Sequence, residues 1–146
     1  MSTLPSAELT ELASRYLLVY WQHREHFARM LAPILKAEHG LELRDYGILR
    51  YLEQDGVTPG VLSEVLHLPG YATSRLLDPL IKKGLIVRSV DPQDARRYLL
   101  QLTEQGRGVI RTIEGRFAQE LARTFERLGK DRVMVLMDTL ESLSKV

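Results

Sequence analysis

The sequence predicts a mainly α-helical chain carrying one small β-hairpin. Apolar residues recur at three- and four-residue spacing over long stretches before residue 84 and after residue 103, the period of amphipathic helices. Between residues 85 and 102 that period gives way to two β-rich runs parted by Asp91-Pro92-Gln93-Asp94, which is strand, turn, strand chemistry. The 146 residues, 45% apolar and 27% charged, suffice for one soluble domain with a buried core.

The first helix is expected from about Ala7 to Ala32, on Leu9, Leu12, Ala13, Tyr16, Leu17, Tyr20, Phe27, Met30 and Leu31. Ser6 is its N-cap, with Glu8 and Glu11 near the positive end of the dipole. Pro33 lacks an N–H, so the helix should end or kink there, with Ile34 to Glu38 adding a turn before Gly40. Leu43 to Glu53 reads as a second helix, closed by Asp55-Gly56. Thr58-Pro59 is an N-cap followed by Pro at the first helical position, and opens a short helix to about Leu66 that buries Val61, Leu62 and Val65. After Pro69-Gly70 a further helix runs from Tyr71 to Lys83, with Leu76, Leu77, Leu80 and Ile81 as its apolar face and Gly84 as its stop. Pro79 falls inside it, so a kink or a division into two pieces is expected. Leu85 to Val90 and Arg97 to Leu102 form the hairpin. Thr103 caps a long helix whose apolar residues step by four: Val109, Ile113, Phe117, Leu121 and Phe125. A last helix spans about Lys130 to Ser144.

Several function classes drop out on composition. There is no cysteine, which removes disulfides, thiolate nucleophiles, thiol redox sensing and cysteine-based metal sites. No basic segment followed by an apolar one opens the chain, and no apolar run approaches the ~20 residues of a membrane span, so a cytoplasmic protein without membrane contact is expected. The net charge of +1 is uninformative as a total, but its distribution is uneven. Residues 1–68 carry 6 basic and 9 acidic side chains, residues 69–111 carry 8 and 4, and residues 112–146 carry 6 of each. The basic excess falls on Arg75, Lys82, Lys83, Arg88, Arg96, Arg97, Arg107 and Arg111.

Two short helices, a helix ending in Gly and then a hairpin is the order of a winged helix-turn-helix. The second helix of the helix-turn-helix pair, the one ending in Gly, enters the major groove N-terminal residues first. Here those residues are Gly70, Tyr71, Ala72, Thr73, Ser74 and Arg75. Small residues admit the backbone, Thr73 and Ser74 suit phosphates, and Arg75 suits a bidentate contact to guanine. Tyr71 either touches a thymine methyl or sugar or packs on the preceding helix. Lys82 and Lys83 complement the helix dipole. The hairpin is the wing: Arg96 near its tip suits a narrow minor groove, and Arg88 and Arg97 lie along its strands near phosphates.

These segments resemble the MarR family of bacterial transcriptional regulators. The resemblance is carried by Tyr46-Gly47-Ile48-Leu49, by the run from Thr73 to Ile86, by Asp91-Pro92-Gln93-Asp94-Ala95-Arg96, and by Leu102-Thr103-Glu104-Gln105-Gly106. It implies one family-type domain over residues 1–146, with dimerisation helices at 1–38 and 104–146 and a DNA-binding lobe at 43–102. It implies a homodimer, Arg96 in the minor groove oriented by Asp94, and a ligand cavity between the dimer helices and the DNA-binding lobe. The Leu- and Phe-rich terminal helices independently call for a partner surface. A two-fold dimer would set its recognition helices about one DNA turn apart, ~34 Å, and so read a pseudo-palindrome.

Six of the ten aromatic residues fall in the first 51 positions. Tyr16, Tyr20, Trp21 and Tyr46, with Arg24, are therefore candidates to bind an aromatic or phenolic anion; the plainer reading of such a stripe is dimer core. His23 and His26 are three apart and Glu38-His39 lies later, but without a tighter cluster no metal or other cofactor is expected. Glu114, Glu120 and Glu126 are scattered helix charges, and no nucleophile–base or phosphate-loop pattern occurs, so no catalysis is expected. The expected function is a homodimeric repressor of transcription that binds double-stranded DNA at a pseudo-palindromic operator and is released by a small ligand. The alternatives are a DNA-binding protein without an effector, and a winged-helix module for protein–protein interaction. The arginine-bearing wing speaks against the last.

Overall fold

The computed structural model describes residues 6–145; residues 1–5 and 146, the extremities of the two expected dimerisation segments, lie outside them. Its elements are α1 (Ala7–His39), α2 (Leu43–Tyr51), α3 (Pro59–Leu66), α4 (Gly70–Lys82), β1 (Ile86–Asp91), β2 (Asp94–Leu102), α5 (Glu104–Leu128) and α6 (Lys130–Leu143). The mainly α class with a β-hairpin wing is the one the periodicity predicts. The chain divides into two compact units between Arg44 and Asp45, each described by itself.

In the first unit, the Ser6 hydroxyl accepts the Leu9 N–H at 3.3 Å and starts α1. Gly40, at φ 61°, ends it by donating its N–H to the carbonyls of Leu35 and Lys36. The expected break at Pro33 does not occur: α1 is continuous for 33 residues. Pro33 sits on an exposed side of the helix, where the carbonyl that loses its partner can be hydrated, while Leu31, Ile34 and Leu35 on either side are buried. Between Leu9 and Trp21 the apolar side chains are exposed. Over Tyr16 to Trp21 they point in every direction around the helix.

The second unit is built on Ile48, Leu49 and Leu52 from α2 and the following turn, Leu62, Leu77, Leu80, Ile86, Leu100, Leu102, Ile110 and Ile113, all buried. Thr58 caps α3 through the Val61 N–H at 3.2 Å, with Pro59 in the first turn. Val61 and Val65, expected in the core, are exposed; the two-turn helix buries only the stripe through Leu62. On α5 the buried residues are Gly106, Ile110, Ile113 and Phe117, so the inward stripe runs through Ile110 rather than Val109.

The join between the wing and α5 is the most tightly specified part of this unit. Gly84, at φ 72°, turns the chain out of α4. Thr103 then makes three bonds: its N–H donates to the Leu85 carbonyl (3.1 Å), its hydroxyl donates to the Gly84 carbonyl (2.5 Å), and the same oxygen accepts the Gly106 N–H (3.0 Å). A Cβ on Gly106 would lie 2.2 Å from the Leu85 carbonyl oxygen, so only glycine fits where α5 passes the link between α4 and β1. The Thr-x-x-Gly pattern is thus a cap and a close approach in one device. Finally, no described residue of α6 is buried, although Met134, Val135, Leu136, Met137, Leu140 and Leu143 are all apolar and exposed.

Candidate nucleic-acid interface

The interface is set by how α3 hands over to α4. His67 takes the left-handed conformation, φ 52°, and the next N–H, from Leu68, returns to the Ser63 carbonyl at 3.0 Å. Thr73 then ties the two helices. Its side chain is 1% exposed, its hydroxyl accepts from Ser63 Oγ at 2.9 Å, and it donates to the Pro69 carbonyl at 3.4 Å. The expectation that Thr73 meets a phosphate is therefore corrected: a buried hydroxyl already bonded on both sides fixes the angle of the helix pair instead. Ser63 and Thr73 are the polar members of two otherwise apolar helix faces, the one sequence signal that points to this tie.

Buried Thr73, Leu77 and Leu80 define the inward face of α4. The helix therefore presents Tyr71, Arg75, Asp78 and Lys82 on the opposite face, all exposed. Tyr71 is 70% exposed, which decides against packing on the preceding helix. The Arg75 guanidinium carbon lies 6.0 Å from the centre of its ring. Ser74 is partly buried beside Thr73, and Gly70 is exposed at the first helical position. Pro69 supplies no side-chain cap there; its carbonyl accepts the Ala72 and Thr73 N–H groups at 3.0 and 3.1 Å. Division of α4 at Pro79 is also corrected. The helix runs unbroken to Lys82, with Pro79 exposed between buried Leu77 and Leu80 and its carbonyl accepting the Lys83 N–H at 3.0 Å.

The wing pairs from Ile86↔Leu102 to Val90↔Tyr98, then slips so that Asp91 faces Asp94. Residues 95–97 fall in this slip, so Arg96 and Arg97 sit outside the regular ladder, both exposed. Asp91 Oδ1 accepts the Gln93 N–H at 2.9 Å, and Asp94 Oδ1 accepts the Arg96 N–H at 3.0 Å. Asp94 thus sets the Arg96 backbone, as an Asx turn does. Arg88 on β1 reaches Asp78 of α4 at 4.0 Å, an exposed pair that links wing and recognition helix. The base of the wing is held by the Leu100 N–H on the Val57 carbonyl at 2.8 Å, a strand-like pairing that periodicity did not indicate. Tyr98, exposed and paired with Val90 on the face that carries Arg88, is a further interface candidate. Alternation alone puts it on the face of buried Leu100, so its exposure toward the hairpin tip had no sequence signal.

The candidate ligand residues fall in both units. On α1, Tyr16 stacks on Tyr20 with centroids 6.1 Å apart, Tyr20 meets Trp21 edge-on at 6.0 Å, and the Arg24 guanidinium carbon lies 5.0 Å from the Trp21 ring centre. Tyr46 belongs to the other unit. There its hydroxyl donates to Glu114 Oε1 at 3.4 Å, and the same oxygen receives Arg50 at 3.1 Å. Arg50 also pairs with Glu53. Partial burial, with the Glu114 charge behind it, pushes the Tyr46 phenol above its ordinary pKa. Among the described residues no three His, Cys, Asp or Glu side chains group as a metal site, and no helix is long and apolar enough to cross a membrane.

A helix-turn-helix whose second helix turns its cationic face outward, followed by an arginine-tipped two-stranded wing, defines the winged helix-turn-helix class. Comparison with known proteins takes this further. The MarR family model matches residues 39–97. The uncharacterized HTH-type transcriptional regulator YhbI of Bacillus subtilis is 31% identical over 112 residues, 73% of each chain. The multiple antibiotic resistance protein MarR of Salmonella typhimurium is 35% identical over 89 residues, 61% of this chain and 60% of that one. Among solved structures, a MarR family protein from Bacillus stearothermophilus superposes with a TM-score of 0.76 at 21% identity, over 97% of both chains. MepR of S. aureus in complex with DNA gives 0.65 at 24% identity, over 90% of this chain and 98% of that one. The chain belongs to the MarR family. It is a DNA-binding transcriptional regulator and not an enzyme.

Proposed function

We propose that the protein is a cytoplasmic homodimeric repressor that binds a pseudo-palindromic operator in double-stranded DNA and is released by a small ligand. The observation that carries the DNA reading is the division of α4. One face, with Thr73, Leu77 and Leu80, is buried, and the other, with Tyr71 and Arg75, is open beside a wing bearing Arg88, Arg96 and Arg97. In this reading Gly70, Tyr71, Ser74 and Arg75 enter the major groove, and the uncapped start of α4 receives a phosphate. Arg96, on a backbone set by Asp94, enters the minor groove, while Arg88 and Arg97 neutralise phosphates.

The dimer is supported by exposed apolar surface. The first half of α1 and the whole of α6 leave large side chains in solvent, which a second copy would cover through the dimerisation segments 1–38 and 104–146. The lobe at 43–102 would then be presented twice. The effector is proposed to be an aromatic or phenolic anion, on the strength of the Tyr16, Tyr20, Trp21 and Arg24 cluster. It would act by favouring a dimer whose recognition helices are spaced wrongly for DNA.

Selection of bound sequences from a random duplex pool, followed by mobility shift, tests this. Two related half-sites about one helical turn apart and two chains per duplex are expected. A panel of aromatic acids is then added. Loss of DNA binding together with a change in Trp21 fluorescence supports the effector, and no change in either removes it. Absence of any enriched sequence overturns the DNA reading.

A further inference from the structure

The exposed face of α4 carries an arrangement that constrains which bases it can read. Tyr71 and Arg75 stand one helical turn apart, and the guanidinium carbon lies 6.0 Å from the centre of the tyrosine ring, over its face. The neighbouring side chains at this end, Gly70, Ala72 and Ser74, are short, so the 70% exposed ring is the most prominent feature of the helix start. Asp78, the carboxylate nearest along the same face, is drawn to Arg88 at 4.0 Å. The group that would meet a guanine therefore arrives with an apolar flank attached.

A base edge beside that guanine must offer apolar surface to the ring. In the major groove the 5-methyl of thymine is the apolar group available, whereas adenine and cytosine present amino donors. A pyrimidine–purine step also unstacks and deforms readily, which admits a ring beside a guanidinium. We infer that Tyr71 and Arg75 together read one 5′-TG-3′ step in each half-site. Arg75 bonds guanine O6 and N7, and Tyr71 packs on the methyl of the thymine before it. This rests on the DNA-binding reading above and adds the base step to it.

The test uses the full-length protein and the duplex recovered by selection. Each half-site is expected to contain TG. Uracil in place of that thymine removes only the methyl, and is expected to weaken binding by the wild type about fourfold. Replacing the guanine by 7-deazaguanine removes the N7 acceptor and is expected to weaken binding about tenfold or more. Tyr71→Ala should bind the thymine and uracil duplexes equally while still sensing 7-deazaguanine. Arg75→Ala should lose the 7-deazaguanine effect. Both side chains are exposed, so each variant is expected to fold, and circular dichroism checks that. An operator without TG, a wild type indifferent to the methyl, or a methyl effect that survives Tyr71→Ala each overturns the inference while leaving DNA binding itself intact. Absence of any selected sequence overturns both.

Discussion

Gly106→Ala is the sharpest test of how the DNA-binding lobe is joined to α5. The added Cβ would lie 2.2 Å from the Leu85 carbonyl oxygen, 3.1 Å from its carbon and 3.2 Å from Leu102 Cδ2, against 3.4 Å for ordinary contact. Two of those atoms are backbone, so α5 must move. Overpacking of this kind costs about 1–3 kcal/mol. The movement also stretches the Thr103 N–H bond to Leu85 and the Gly106 N–H bond to Thr103, worth about 1 kcal/mol each. Alanine returns about 1 kcal/mol through helix propensity. The net expectation is a loss of about 2–4 kcal/mol, a fall in Tm of roughly 5–15 °C for a chain of this length. Gly115→Ala on the same helix is the control. Nothing lies within 4 Å of its Cβ, so it should gain up to about 1 kcal/mol. Thermal melts and urea titrations at one fixed protein concentration read both. If Gly106→Ala melts at or above the wild type, as Gly115→Ala should, the close approach is absent and the explanation of the Thr-x-x-Gly motif fails.

Three further outcomes are expected. Thr73→Val should cost about 1 kcal/mol, because Ser63 loses its acceptor, yet leave the salt dependence of DNA binding unaltered; a shallower salt dependence would return Thr73 to the phosphate contacts. Arg96→Ala should weaken operator binding while leaving Tm nearly unchanged, since the side chain is exposed; a lower Tm with unaltered affinity would make the residue structural. The Tyr46 phenol, raised above its usual pKa, favours the protonated folded form, so its contribution is present below about pH 10 and is lost as pH rises through the folded value. Urea titrations from pH 8 to 11 should show an alkaline decline that Tyr46→Phe makes shallower; equal slopes would deny that burial and the Glu114 charge raise this phenol's pKa.

Most elements were legible because caps and stops are local. Ser6, Thr58 and Thr103 each start the helix expected of them, and Gly40 and Gly84 end theirs. Neither proline ends its helix, and for a single reason. Pro33 and Pro79 each lie on an exposed side with buried leucine or isoleucine on either side, so packing carries the helix across the lost bond, and position alone does not reveal which side a proline occupies. Val61 and Val65 show the same limit, since composition cannot say how many faces of a two-turn helix are covered. At the candidate interface, Arg75, Arg88, Arg96 and Arg97 were legible as a charge pattern. Thr73 was not, because its burial depends on Ser63, ten residues away on another helix. Tyr98 was not, because its pairing with Val90 and its exposure depend on the register of the two strands.

The most direct test of DNA reading by α4 and the wing is the salt dependence of the dissociation constant for the selected duplex between 50 and 200 mM. In the proposed dimer Arg88 and Arg97 of each chain would make four phosphate contacts, so the logarithm of the association constant, the inverse of that dissociation constant, should fall against log salt with a slope of about −3.6 or steeper. Arg97→Ala should reduce that slope by about 2, one contact per chain. A flat dependence, or a slope untouched by loss of Arg97, would contradict an interface made by the wing.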